Sequence, residues 1–160
     1  MRKQHHIIVL GFITLLLIVS CNKGDQDAVD TEKPVIVLNR PQEGDIFKPG
    51  SEIHFDADFS DNVALGSYKI DIHSASDGHI HGRATVNETT EWRYVRTFEL
   101  ESGLKNTHVH EHISIPVQVQ GIPIKQGHYH FGVYLIDHAG NQQQVFVEIE
   151  IDENGETHVH

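Results

Sequence analysis

Histidine is the residue type that sets this sequence apart. The chain has 160 residues, and 14 of them are His. Most are clustered: His73, the pair His79 and His81, the run His108, His110 and His112, the pair His128 and His130, and the terminal His158 and His160. Their usual spacing is i, i+2. On a strand that spacing puts both side chains on one face, about 7 Å apart at the backbone. Two imidazoles so placed can lean together onto one ion. Zinc and copper take neutral imidazole nitrogen at about 2.0–2.1 Å, and three or four such ligands suffice. A lone outward His is usually a solvated surface residue, and a single pair arises readily by chance. Three such runs in one domain are a poor match to chance, so metal binding is the expected chemistry, Zn2+ first and Cu2+ second. A surface whose charge responds to pH is the other use of so much imidazole. The terminal pair reads as a tail with a weak ligand role at best.

The elements that must position these residues are strands. From Pro34 on, apolar and polar residues alternate with period 2 between turn residues, which predicts an all-β domain. Strands are expected at 35–38, 52–59, 67–73, 92–100, 108–119, 127–136 and 145–151, with a further short one at 84–86. Ile53, Phe55 and Ala57 share one face of the second. Tyr68, Ile70 and Ile72 point inward from the third. Ile113, Ile115, Val117 and Val119 do so from the fifth, and Tyr129, Phe131, Val133 and Leu135 from the sixth. About seven short strands make an immunoglobulin-like β-sandwich. Asp61-Asn62 and Asp137-x-Ala139-Gly140-Asn141 have the composition of tight turns rather than of calcium loops. Trp92 and Tyr94 read as core rather than as a sugar platform.

Parity then places the histidines. With Tyr129 and Phe131 inward, His128 and His130 share the outer face. With Ile70 and Ile72 inward, Asp71 and His73 face out. The third and sixth strands of such a sandwich are antiparallel neighbours, so His73 comes to lie beside His128 and His130. The loop with Asp77, His79 and His81 leaves from the same edge. These residues form the main predicted site, with Asp71 or Asp77 orienting the rings. The run His108/His110/His112 has two placements. It forms a second site toward the opposite end, with His138, or it folds back onto the first cluster.

The N-terminus reads as an address. Arg2 and Lys3 precede an apolar stretch from Ile7 to Val19, which is 13 residues. That is too short for a membrane-spanning helix of about 20 residues, and it fits a signal-peptide core. Ile18-Val19-Ser20-Cys21 resembles the bacterial lipobox. The resemblance implies removal of residues 1–20 and acylation of Cys21, whose chains would anchor the protein in membrane lipid. Residues 21–33 are polar and acidic and read as a flexible tether. The sandwich is expected over 34–151, with a tail at 152–160. Lys23 followed by acids is similar to an export signal of surface lipoproteins, which points to the outer membrane of the bacterial envelope.

The charge balance closes other routes. The formal net charge is −11, and loss of Arg2 and Lys3 with the leader makes it −13. Such a surface does not neutralise phosphates, so no nucleic-acid partner is expected. The single Cys rules out an intrachain disulfide and a Cys-based zinc finger. No Gly-x-Ser-x-Gly elbow or phosphate loop is present. Metal catalysis would be the only enzymatic route, and His79-x-His81 is a faint echo of copper–zinc superoxide dismutases. No enzymatic activity is expected.

A family resemblance enters on specific residues. Pro34-Val35-Ile36, Phe59-Ser60-Asp61-Asn62, Tyr68-Lys69-Ile70, Gly127-x-Tyr129-x-Phe131 and Asp137-x-Ala139-Gly140-Asn141 look like bacterial Ig-like modules. Asp71-Ile72-His73, Asp77-Gly78-His79-Ile80-His81, His108 to Ile113 and Tyr129-His130-Phe131 resemble a His-rich Bacteroidetes lipoprotein family, DUF4625. The resemblance implies an Ig-like fold and a lipoprotein, and it supplies no activity. The expected function is metal capture, storage or delivery, beside a metal transporter or surface protein. The alternative is a metal-free adhesion or accessory module that binds a protein or glycan at the cell surface.

Overall fold

Alternation decides which residues become strands and which way each side chain points. In β3 (Glu52–Ser60), Ile53, Phe55, Ala57 and Phe59 are buried, and the residues between them face out. The same period runs through β4 (Leu65–Ser74) and β9 (Gly127–Asp137), with Tyr68, Ile70 and Ile72 packed against Tyr129, Phe131, Val133 and Leu135. Each of these large side chains contributes about 1.5–3 kcal/mol by leaving water. The computed structural model describes residues 29–75 and 88–155. Among the described residues no helix is long and apolar enough to cross a membrane.

The strands form two facing sheets. One is three-stranded, with β3 between β1 (Val35–Arg40) and β6 (Asn106–Ser114). The other has five strands in the order β2 (Ile46–Phe47), β10 (Gln142–Ile151), β9, β4, β5 (Arg93–Glu99). In immunoglobulin terms β1, β3 and β6 stand at positions A, B and E, and β4, β9 and β10 at C, F and G. The fold is an Ig-like β-sandwich. Phe55 lies between Tyr68 and Phe131, with ring centroids 6.1 and 5.9 Å away, and so bridges the two sheets. Trp92 is buried beside Tyr129, as core.

The strand expected over 108–119 is shorter than the alternation suggests. β6 ends at Ser114, and Pro116, with no N–H to give a ladder, stands just beyond. A separate hairpin follows, β7 (Gln118–Val119) and β8 (Ile122–Pro123). Its two turn residues, Gln120 and Gly121, have φ of 53° and 84°, the positive values that two-residue hairpins need. Ile113 and Ile115 point inward as expected, but Val117 is 61% exposed, because the chain has already left the sheet. Alternation gives no sign of β2, a two-residue strand paired in parallel with β10. The short strand expected at 84–86 lies outside the described residues.

One close approach ties β4 to β9. The pairing shifts register between Leu65 and Ser67, as at a β-bulge. A Cβ on Gly66 would lie 2.8 Å from the Asp137 carbonyl oxygen and 2.9 Å from that of Ile136. Gly66→Ala should therefore lower stability by about 1–3 kcal/mol through forced separation of backbone. Urea unfolding will show this as a lower midpoint at unchanged slope, and an unchanged midpoint would disprove the close approach.

Candidate metal centre

The outer face of β3 and β6 carries a ladder of imidazoles and carboxylates. Burial of Ile53, Phe55 and Ala57 turns Glu52, His54, Asp56 and Asp58 outward. Burial of Ile113 and the inward Val109 turn His108, His110 and His112 outward on β6. Antiparallel register sets His54 opposite His112, Asp56 opposite His110, and Asp58 opposite His108. Side chains directly opposite stand about 4.5–5.5 Å apart at Cβ, close enough to share a ligand.

His54, His110 and His112 converge. Each brings a ring nitrogen to within 4.8 Å of the other two. His110 Nε2 and His112 Nε2 are 3.1 Å apart. Two imidazole nitrogens on one tetrahedral zinc, at about 2.0–2.1 Å each, would be roughly 3.3 Å apart. The far sides of both rings face carboxylates. His112 Nδ1 donates to Glu52 Oε2 at 3.1 Å, and His110 Nδ1 faces Asp56 Oδ2 at 3.5 Å. A carboxylate on Nδ1 fixes the tautomer and turns the Nε2 lone pair toward an ion. His54 closes the group from β3, its ring 4.3 Å from that of His112.

The electrostatics divide these histidines. Desolvation lowers the pKa of His54, and the neighbouring His112 and His110 lower it further. Both effects favour its neutral form, the one that ligates metal. His108 goes the other way, raised first by its hydrogen bond to Asp58 and then by the charges of Asp56 and Asp58. Its Nδ1 lies 2.9 Å from Asp58 Oδ1 and its Nε2 3.3 Å from Asp56 Oδ2. With both nitrogens on carboxylates, it stands apart from the trio. Asn39 Nδ2 donates to Asp56 at 2.8 Å and to Asp58 at 2.9 Å, and is the main cause holding both acids below the usual carboxylate range.

A second row crosses the other sheet. Arg93, His73, His130 and Glu148 lie at matched positions on β5, β4, β9 and β10. The rings of His73 and His130 are 5.4 Å apart, edge to face, so these two do meet across the strands. His73 Nδ1 donates to Asp71 Oδ1 at 3.1 Å, and Arg93 holds Asp71 Oδ2 at 2.9 Å. Burial pushes Asp71 up, but these two partners outweigh it and hold its pKa low. His128 Nδ1 meets Glu148 Oε1 at 3.0 Å, while His130 Nε2 is 4.0 Å from Glu148 Oε2. His79, His81, Asp77 and Cys21 lie outside the described residues.

The run His108/His110/His112 thus does not join His73 and His130, because it stands on the other sheet. His138 is absent from the trio. It sits in the turn after β9, its N–H bonded to the Ala64 carbonyl at 2.9 Å. His54 escaped the sequence reading because it has no histidine two residues away. The available signal was the outward series His54-x-Asp56-x-Asp58, which complements His108-x-His110-x-His112 once the two strands are paired.

Comparisons with known proteins give a family and no activity. The model of a family described as "Domain of unknown function (DUF4625)" matches residues 19–152. A search of curated proteins found no match. Among solved structures, the fibronectin(III)-like modules of Clostridium thermocellum CbhA align at 9% identity and a TM-score of 0.40, covering 74% of this chain and 97% of that one. OgpA from Akkermansia muciniphila aligns at 11% identity and 0.47, covering 80% of this chain and 31% of that one. Spo0M, a sporulation control protein from Bacillus subtilis, aligns at 13% and 0.40, covering 75% and 49%. This chain therefore spans less than half the length of the last two.

His54 and His108 should titrate on opposite sides of the ordinary imidazole value. Two-dimensional NMR of the ring protons on metal-free protein will show His54 below it and His108 above it. Asp58→Asn should return His108 toward the ordinary value. The stabilisation from the His108–Asp58 pair is fully present below the unfolded-state histidine pKa, and it is lost as pH rises through the raised folded value. Coincident midpoints for the two residues would contradict the ladder of contacts.

Proposed function

The chain belongs to the DUF4625 family, and from that premise we propose that it is an envelope lipoprotein whose Ig-like domain binds a divalent transition metal. Zinc is the first choice and copper the second. One observation carries the reading. His110 Nε2 and His112 Nε2 face each other at 3.1 Å while their Nδ1 atoms are directed at Asp56 and Glu52. With both protons on the carboxylate side, two lone pairs meet, and a cation between them removes the repulsion. His54 adds a third ring nitrogen, leaving a fourth position open to water or to a ligand from a partner.

The site is built for capture rather than turnover. His110 and His112 are about half exposed on an open sheet face, with side-chain exposures of 47% and 48%. Water reaches the ion freely, and an incoming ligand can take it. That suits storage or delivery of metal to a transporter or surface protein, with the domain held to the outer membrane through acylated Cys21. The His73–His130 pair is a second and weaker candidate site on the opposite sheet. The alternative function, a metal-free adhesion or accessory module, would use the same sandwich without the ion.

Metal content decides between these readings. The full chain, purified in detergent without nickel resin and dialysed against zinc, should retain near-stoichiometric zinc by ICP-MS. The double variant His54→Ala/His110→Ala should lose most of it, with its circular dichroism unchanged. A variant of His73 and His130 should lose much less. Affinity should fall by roughly tenfold or more between pH 7.5 and pH 5.5, as protons compete for imidazole. No retained metal at micromolar supply would remove the metal reading and leave the adhesion module.

A further inference from the structure

A separate group of acids gathers where the chain enters the sandwich. Asp30 precedes β1, Asp61 directly follows β3, and Asp137 closes β9. Each brings a carboxylate oxygen to within 4.8 Å of the other two. Asp61 and Asp137 are buried, 8% and 3% exposed. Among the described residues no Lys, Arg or His side chain pairs with any of the three; Lys105 donates to the Asn62 carbonyl at 2.8 Å.

The turns account for only part of this chemistry. Asp61 Oδ1 accepts the N–H groups of Val63 at 2.9 Å and Ala64 at 2.7 Å. Asp137 accepts both the N–H and the Nδ2 of Asn141. Asp30 Oδ1 accepts from Asn62 Nδ2 and the Glu32 N–H. Asp61 Oδ2 and Asp30 Oδ2, however, are shut away from solvent and accept nothing. A buried carboxylate oxygen without a donor is costly, and two of them beside a third carboxylate compound the cost.

We propose that Asp30, Asp61 and Asp137 bind one calcium ion, which fastens the segment before β1 to the end of the sandwich. Three oxygens no more than 4.8 Å apart share a point within about 2.8 Å of each, close to the 2.3–2.6 Å of calcium–oxygen bonds. The donors are all hard oxygens, which suit calcium and not zinc. Magnesium needs about 2.0–2.1 Å and stricter geometry. The site is distinct from the imidazole trio, since Asp61 lies seven residues along the chain from His54, roughly 23 Å of extended strand. Asn141 Nδ2 also holds the Asp30 carbonyl at 3.2 Å, so the ion would lock a segment already docked. The domain would then leave its anchor in a set direction when calcium is present.

Thermal unfolding of the full chain in detergent, stripped with EDTA, tests this. Calcium at about 10 mM should raise Tm by about 5 °C or more, and magnesium clearly less. Calorimetric titration should give a dissociation constant of about 10⁻⁴–10⁻³ M, the class of extracellular modules. Asp61→Asn keeps an acceptor for Val63 and Ala64, and Asp30→Asn lies outside the strands; both should lose most of the calcium shift. In EDTA, Asp61→Asn should melt at or above the parent, because one of three crowded charges is gone. His54→Ala/His110→Ala should keep the full calcium shift, which separates this site from the zinc reading. The proposal is overturned if calcium leaves Tm unmoved, if magnesium matches it, or if Asp30→Asn and Asp61→Asn respond like the parent.

Discussion

The buried stripe Ile53, Phe55, Ala57 and Phe59 on β3 is the constraint on which both outer surfaces depend. A strand has only two faces, so committing these four residues to the core commits His54, Asp56 and Asp58 to solvent. A slip of one residue would exchange the faces and bury these polar side chains. Phe55, between Tyr68 and Phe131, joins this stripe to the facing sheet. The parity of β4 and β9, and with it the outward placing of His73, His128 and His130, follows from the same packing.

Register converts parity into chemistry. Antiparallel pairing of β3 with β6 sets acids against imidazoles at two positions and imidazole against imidazole at the third. His108 has Asp58 opposite and Asp56 diagonal, each against a different ring nitrogen, and these acids raise its pKa. Where the opposite residue is another histidine, as for His112, one nitrogen is left for an ion. One ladder therefore holds two kinds of histidine, set apart by whether carboxylates meet both ring nitrogens or only one.

The strand ends carry a different chemistry. The stretch 21–33, read as a tether from its polar composition, docks from Asp30 on, through Asn62, Asn141 and its own turn. Asp61 and Asp137 were read as turn residues, and they are; each caps backbone N–H groups of its own loop. A carboxylate has two oxygens, however, and an Asx turn occupies one. The spare oxygens of Asp61 and Asp30 matter only because two loops and an incoming segment meet at one place.

Much of the fold is legible in the residues themselves. Period-2 alternation with Pro and Gly breaks specifies strands, and it specifies which of their side chains are core, because burial and pleat act locally. The i, i+2 histidines on β6 and β9 share a face for the same reason. Alternation does not mark where a strand leaves its sheet, which is why Val117 reads as core and is exposed. Nor can local pattern show that His54, without a histidine neighbour in sequence, stands opposite His112, or that Asp30, Asp61 and Asp137 meet. Those are contacts between segments 31 to 107 residues apart in the chain. Only the antiparallel register and the closing of one sheet over the other bring them together, since a ligand site requires side chains at ångström distances and a sequence specifies only the order in which they occur.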